Sequence, residues 1–216
     1  MLSGGAGGRA MSRAFEELYG IRDAFNGVPF NGRTDAWIVS QTAGRHNIAP
    51  AALDAFKPRY LQHLEQMLQE PGPRKGVMPG VRPLLDALSG RDDVFLALLT
   101  GNYAEGARLK LEYFDLWQYF SCGAFGDVVH ERNHLLADAL AQVSACSGLP
   151  AEPSRSIIIG DTPLDIGVAK FGGARSIGVA TGGHTVDDLR ASGADVVFED
   201  LSDLEKVLAV LERAES

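Results

Sequence analysis

A chain of 216 residues with 45% hydrophobic and 22% charged side chains is long enough for one sizeable domain, or for a core domain with a smaller insert. Its formal net charge of −8 argues against nucleic acid or an anionic membrane as the main partner, since both need a basic face, and leaves open a small anion met by a local cation or metal. The only two cysteines, Cys122 and Cys146, have no metal-ligand spacing and suggest a reducing compartment without a disulfide framework or structural zinc. No run of about 18 apolar residues exists to span a membrane. No apolar stretch follows Arg9 and Arg13 as it would in a signal peptide, so the expected location is cytoplasmic.

In chain order, the opening MLSGGAGGRA is glycine-rich and leads straight into helical signals. RAFEELYG ends at Gly20 as a C-capped helix would, and TDAWIVSQTAGRH starts at the N-cap candidate Thr34. APAALDAFKPRYLQHLEQMLQE is a longer amphipathic run. No strand-like block interrupts these helices, and PGPRKGVMPG (71–80) then reads as a linker rich in turn formers.

After the linker the texture changes. VRPLLDALSG is a helix closed by Gly90, DVFLALLTGN a buried strand ending in a polar turn, and YAEGARLKLEYFDL a helix. YFSCGAFGD is a short strand, ERNHLLADALAQVSACSG a helix, and RSIIIGDT a strand. A helix from about 164 to 172 precedes the strand ARSIGVAT; TVDDLRASG and ADVVFED add a helix and a strand, and LSDLEKVLAVLERA closes the chain. Strands alternating with helices predict an α/β fold with a doubly wound parallel sheet, whose site lies at the carboxyl ends of the strands. The expected division is a core of 1–10 and 78–216, with 11–77 inserted as a helical cap.

The strongest chemical signal is SIIIGDTPLDIGVAK. A fully apolar strand delivers Gly160 and Asp161 to its edge, and Asp165 follows four residues later. Two carboxylates at one strand end repel unless a positive charge sits between them, and Mg²⁺ is the usual solution, held by one or two carboxylates, waters and phosphate oxygens. The plainer alternative makes Asp165 a helix cap and Asp161 a turn residue. A second signal is LALLTGN, where Thr100, Gly101 and Asn102 lead from a strand into a helix. A hydroxyl with backbone N–H groups at a helix start makes an anion cradle, or simply an N-cap.

Together these stretches resemble the haloacid dehalogenase superfamily of phosphohydrolases. LLTGN looks like its second motif and IGDTPLDI its fourth, while VMPGVRPLLDAL is similar to the re-entry from a helical cap in the phosphoglycolate-phosphatase-like branch. SGGAGGRAMSRAF looks like the segment just after the first motif, so the resemblance covers essentially the whole chain. That first motif is DxDGT on a central strand, carrying a nucleophilic aspartate and an acid–base aspartate. The resemblance places it before Met1, and the chain as written is expected to be inactive. Without that strand, two buried sheet edges keep unpaired groups at roughly 1–3 kcal/mol each, against a total stability of about 5–15 kcal/mol. Asp92 and Asp93 stand at the wrong end of a strand to substitute, and Asp200 and Asp203 read as surface caps.

The family's third motif is a lysine or arginine. Arg132 in HERNHLL matches its position, with Lys110 in ARLKLE as competitor and a solvated helix face as the ordinary reading of Lys110. In the cap, NGRTDAW gathers Arg33, Thr34, Asp35 and Trp37, where Arg33 is either a substrate contact or a surface arginine beside an N-cap. His184 is expected at the rim, and Trp37, Phe56, Tyr60 and Phe114 in the core. The implied function is a Mg²⁺-dependent phosphatase of a small phosphorylated metabolite, acting as monomer or homodimer. In it Asp161 binds metal directly, and Asp165 holds it through water or orients the cation. Thr100, Gly101 and Asn102 hold the phosphoryl oxygens. A non-catalytic phosphate-binding or regulatory protein is the main alternative. A haloacid dehalogenase needs no metal, so the paired acids count against it.

Overall fold

The computed structural model describes residues 1–128 and 131–212. Its first part is helical: α1 (Ala6–Tyr19), α2 (Asp35–Arg45), a short 3-10 turn (Pro50–Leu53) and α3 (Phe56–Gln69). Helix α1 stops at Gly20, whose φ of 70° lets its N–H close on Glu16 O. Helix α2 starts at Thr34, whose hydroxyl accepts from Trp37 N–H at 3.1 Å. The apolar faces enclose Met11, Phe15, Phe25, Ile38, Phe56, Tyr60 and Leu64. Phe15 meets Phe25 and Phe56 edge-on at 5.1 and 5.6 Å between ring centroids. Ala6 and Ala10 belong to this cluster, so the boundary expected at residue 10 falls inside α1.

The chain enters and leaves this helical unit through two glycine-rich segments that touch. Leu2 and Gly76 exchange backbone hydrogen bonds of 2.8 and 2.9 Å. A Cβ on Gly72 would stand 2.6 Å from Gly4 O, so only glycine permits that crossing.

From there α4 (Val81–Ser89), β1 (Leu98–Leu99), α5 (Ala104–Tyr113), β2 (Gly123–Ala124), α6 (Leu135–Ser147) and β3 (Ile157–Gly160) follow. They are succeeded by α7 (Pro163–Gly172), β4 (Arg175–Val179), α8 (Val186–Ala191), β5 (Val196–Phe198) and α9 (Leu204–Glu212). The closing helix was expected to reach 214; its residues from 213 on lie outside the described residues. All strand pairs are parallel: β1 with β2, and β3 with β4 with β5. Both faces of the larger sheet are covered. Ile177, Val179 and Phe198 pack with Leu84 of α4 and Val207 of α9, whereas Ile158 packs with Leu136 of α6 and Val168 of α7. That is the doubly wound α/β arrangement.

The strand expected over DVFLALLTGN narrows to Leu98–Leu99. Among the described residues it forms ladder bonds with β2 alone, and β3 pairs only with β4. Among the described residues no strand lies between β1 and β3, yet Leu99 packs into the same cluster as Ile158.

Candidate functional site

The carboxyl end of β3 separates its two aspartates by role. Pro163 opens α7 and Thr162 caps it: Asp165 N–H donates to Thr162 Oγ1 at 3.3 Å, and Asp165 Oδ2 accepts from Thr162 N–H at 3.1 Å and from its hydroxyl at 2.8 Å. The other oxygen, Oδ1, lies 2.5 Å from Arg132 Nη2, with side-chain exposures of 8% and 13% for the acid and the arginine. Asp165 is thus both a helix cap and the anchor of a nearly buried guanidinium. Gly160 is required beneath it, since a Cβ there would meet Asp165 Cβ at 2.3 Å.

Asp161 lines an open cavity of about 210 Å³ with Met1, Met78, Pro79 and Thr181. Burial, and then the neighbouring charge of Asp165, raise its carboxyl above the ordinary aspartate range. Its Oδ2 fills the space beside Gly182, where a Cβ would come within 2.3 Å.

The Thr100–Asn102 turn at the end of β1 faces this pair. Thr100 N–H donates to Ala124 O at 3.0 Å, continuing the β1–β2 ladder, and its hydroxyl accepts from Asn102 N–H at 3.3 Å. A Cβ on Gly101 would stand 2.7 Å from Arg132 Nη1 and 2.3 Å from Arg33 O. The guanidinium therefore touches the Thr100 turn with one nitrogen and Asp165 with the other. Arg132 Nε is buried and finds no acceptor among the described residues.

The first amides of α5 are occupied from outside. Tyr103 N–H donates to Asp35 Oδ2 at 2.9 Å, and Ala104 N–H to Asp127 Oδ2 at 2.7 Å. Asp127 also takes the Lys57 ammonium at 2.6 Å, and Glu105 takes it at 2.7 Å. Burial pulls the Lys57 pKa down, but Asp127 and Glu105 outweigh it and hold it above the ordinary lysine range.

Lys110 is not the solvated helix residue its type suggests. It is 8% exposed and donates to Asn102 Oδ1, because two other helices cover that face of α5. It meets the Asn102 side chain of the turn, whereas Arg132 lies against Gly101. Arg33 brings its backbone carbonyl against Gly101, while its guanidinium stacks over Trp37 at 4.7 Å. Asn31 approaches Gly183, where a Cβ would be 3.4 Å from its side-chain nitrogen. Asp93 pairs with Arg91, Asp200 caps Ser202 N–H and Asp203 caps Lys206 N–H.

Sequence reasoning did not single out Asp35 beyond a possible cap loop, nor Asp127 at all. The signal available for Asp35 was its place one residue after an N-cap threonine, which marks a helix start but says nothing of what it docks against. Nothing local distinguished Asp127.

A family model described as HAD-hydrolase-like matches residues 133–204. The chain is 35% identical over 142 residues to "Probable phosphatase IndB" of Dickeya dadantii (strain 3937), covering 65% of this chain and 58% of that protein. It is 30% identical over 129 residues to phosphoglycolate phosphatase of Escherichia coli (strain K12), covering 59% and 49%. The chain thus spans about half the length of the curated relatives it matches. Among solved structures, a predicted phosphoglycolate phosphatase from Haemophilus somnus 129PT superposes with TM-score 0.68 at 18% identity, covering 95% of this chain and 92% of that one. A hydrolase from Pseudomonas syringae gives TM-score 0.68 at 19% identity, covering 97% and 93%. The fold, the GDxxxD strand end and these likenesses agree: the chain is similar to haloacid dehalogenase-like hydrolases, through the family model over residues 133–204 and through relatives described as phosphatases.

Proposed function

We propose that this chain carries the phosphate- and metal-binding residues of a Mg²⁺-dependent phosphatase acting on a small phosphorylated metabolite. The observation that carries the reading is Arg132: its guanidinium reaches Asp165 at 2.5 Å and lies against Gly101, so one cation joins the ends of β1 and β3. A buried Nε that finds no acceptor among the described residues is a donor suited to an incoming anion. Thr100 and the backbone of Gly101 and Asn102 receive the phosphoryl oxygens, and Arg132 offsets their charge.

The residues present fit Mg²⁺. Among the described residues no cage of three His, Cys, Asp or Glu side chains forms, and Mg²⁺ does not need one. It takes one or two carboxylates and fills its shell with waters and phosphate oxygens. Asp161 is the direct ligand, because its carboxylate is crowded by Asp165 and opens on a cavity. Asp165 has both oxygens engaged and serves by orienting Arg132. When bound, the metal screens the charge repulsion between a nucleophile and the phosphoryl group.

Family chemistry uses an aspartate to attack phosphorus and water to cleave the aspartyl-phosphate. Asp161 is assigned to the metal and Asp165 to Thr162 and Arg132, which leaves neither as nucleophile. The 216-residue chain alone is therefore expected to bind phosphate without turning over phosphomonoesters. Calorimetric titration with inorganic phosphate in the presence of Mg²⁺, beside an assay over a panel of phosphomonoesters, tests both parts. Binding without turnover supports the reading. Metal-dependent turnover surviving purification to homogeneity overturns the second part, and absence of phosphate binding overturns the first.

A further inference from the structure

We propose that Lys110 is a positioning residue that braces the Thr100–Asn102 turn through Asn102 and, together with Asp35, clamps the helical unit onto it. Its value to phosphate binding rests on the function proposed above; the clamp does not.

Three contacts meet at this point. Lys110 donates to the side-chain oxygen of Asn102, eight residues back along the chain. Side chains on a helix lean toward its N-terminus, so a lysine in the second turn of α5 naturally runs back toward residue 102. Asp35 faces the same place from α2. It is 4% exposed, its carboxylate accepts from Tyr103 N–H at 2.9 Å, and its own N–H donates to Gly101 O at 2.6 Å. An ammonium drawn toward the positive end of its own helix is disfavoured unless a negative charge offsets it, and Asp35, docked on the same turn without pairing directly with Lys110, supplies that charge. Each charge alone would be stranded in the interior; together they are tolerated only while α2 and α5 stay docked.

The surroundings are shaped for this ammonium. A Cβ on Gly7 of α1 would stand 3.2 Å from Lys110 Nζ, and a Cβ on Gly106 of α5 would stand 3.3 Å from Tyr60 Oη. The Tyr60 hydroxyl is itself buried with no partner among the described residues. Helices α1, α3 and α5 thus close around Lys110 where two small residues leave room. The cation against Gly101 is Arg132, whereas Lys110 is buried and bonded to the Asn102 side chain, so Lys110 acts through Asn102 rather than on substrate.

Two variants of the intact chain test the clamp. Lys110→Met keeps length and removes the charge; Asp35→Asn keeps shape and removes the opposite charge. Backbone hydrogen exchange at Asp35, Gly101, Asn102 and Tyr103 reads the clamp, and calorimetric titration with inorganic phosphate in Mg²⁺ reads its use. Both variants are expected to speed exchange at these amides at least tenfold while leaving β3 and β4 amides at wild-type rates. Both are expected to weaken phosphate binding at least tenfold. The double variant is expected to lose little more than either single one, as for two charges that hold one turn. Unchanged exchange at these four amides in both variants overturns the clamp. Exchange that rises equally in β3 and β4 also overturns it, because the role is then general stability. If wild type binds no phosphate, the functional reading fails, and the exchange data still decide the clamp.

Discussion

Arg132 Nη2 and Asp165 Oδ1 stand 2.5 Å apart with both side chains almost buried, and the same guanidinium rests against Gly101. This pair links two sheet segments that share no ladder hydrogen bonds. The contact is therefore structural, and under the proposed function it also serves phosphate and metal binding; the two roles separate under mutation.

Replacing Asp165 by alanine removes the reciprocal half of the α7 capping box, with Thr162 still the N-cap, and leaves a nearly buried arginine without its partner. Cap loss costs about 1 kcal/mol, and breaking a buried pair on one side costs roughly 3–5 kcal/mol. Because Arg132 keeps some exposure, a total of about 3 kcal/mol is expected. Urea unfolding at neutral pH with an unchanged m-value checks it; a loss under about 1 kcal/mol would mean that the pair is solvent-separated in solution.

Asp161→Asn is expected to do the reverse. The amide preserves shape and packing but ends the repulsion from Asp165, which contributes to the raised pKa. Stability in EDTA should hold or rise, while calorimetric Mg²⁺ affinity falls at least tenfold. Unchanged Mg²⁺ affinity would end the metal-site reading, and a drop in metal-free stability would mark Asp161 as a structural residue.

How far the sequence carried the fold and site follows from which signals are local. Thr34 and Gly20 were legible because caps answer to the backbone of their own helix. GDTPLDI was legible because an apolar strand and a Pro-opened helix bracket two acids within six residues. The burial of Lys110 was not, since the lysine's neighbours come from α1, α2 and α3, and nothing within α5 announces them. Strand lengths failed for a related reason. Leu98–Leu99 is short because it has one ladder partner, and pairing is a property of the sheet rather than of the segment.

Asp195 supplies a pH-dependent contribution with a definite sign. Its Oδ2 accepts from Ser176 N–H at 2.7 Å and from the Ser176 hydroxyl at 2.8 Å. Partial burial pushes its pKa up, but these bonds outweigh it and hold the carboxyl below the usual aspartate value. Between the lowered value and the ordinary one, the unfolded chain binds more protons than the folded chain. Stability from this contact is then full above about pH 4 and is lost as pH falls further. The stability difference between wild type and Asp195→Asn should therefore be constant from pH 7 to 5 and shrink below 4. A difference that persists unchanged at pH 3 contradicts the assignment.

Gly80 and Gly20 are both left-handed, with φ of 76° and 70°, but their surroundings differ. A Cβ at Gly20 would meet nothing within 4 Å, so alanine there costs only the conformational penalty, about 1 kcal/mol. At Gly80, the residue before α4, a Cβ would fall 1.8 Å from Leu201 O and 2.5 Å from Ser202 N. Both obstacles are backbone and cannot rotate away, so the chain after β5 must shift. Overpacking of that kind adds roughly 1–3 kcal/mol to the conformational penalty, so Gly80→Ala is expected to cost about 3 kcal/mol. It should also raise hydrogen exchange at Leu201, whose N–H donates to Pro79 O at 3.3 Å. Urea midpoints of the two variants, measured side by side, decide the point. Equal losses would mean that the segment entering α4 does not pass so close to Leu201 in solution.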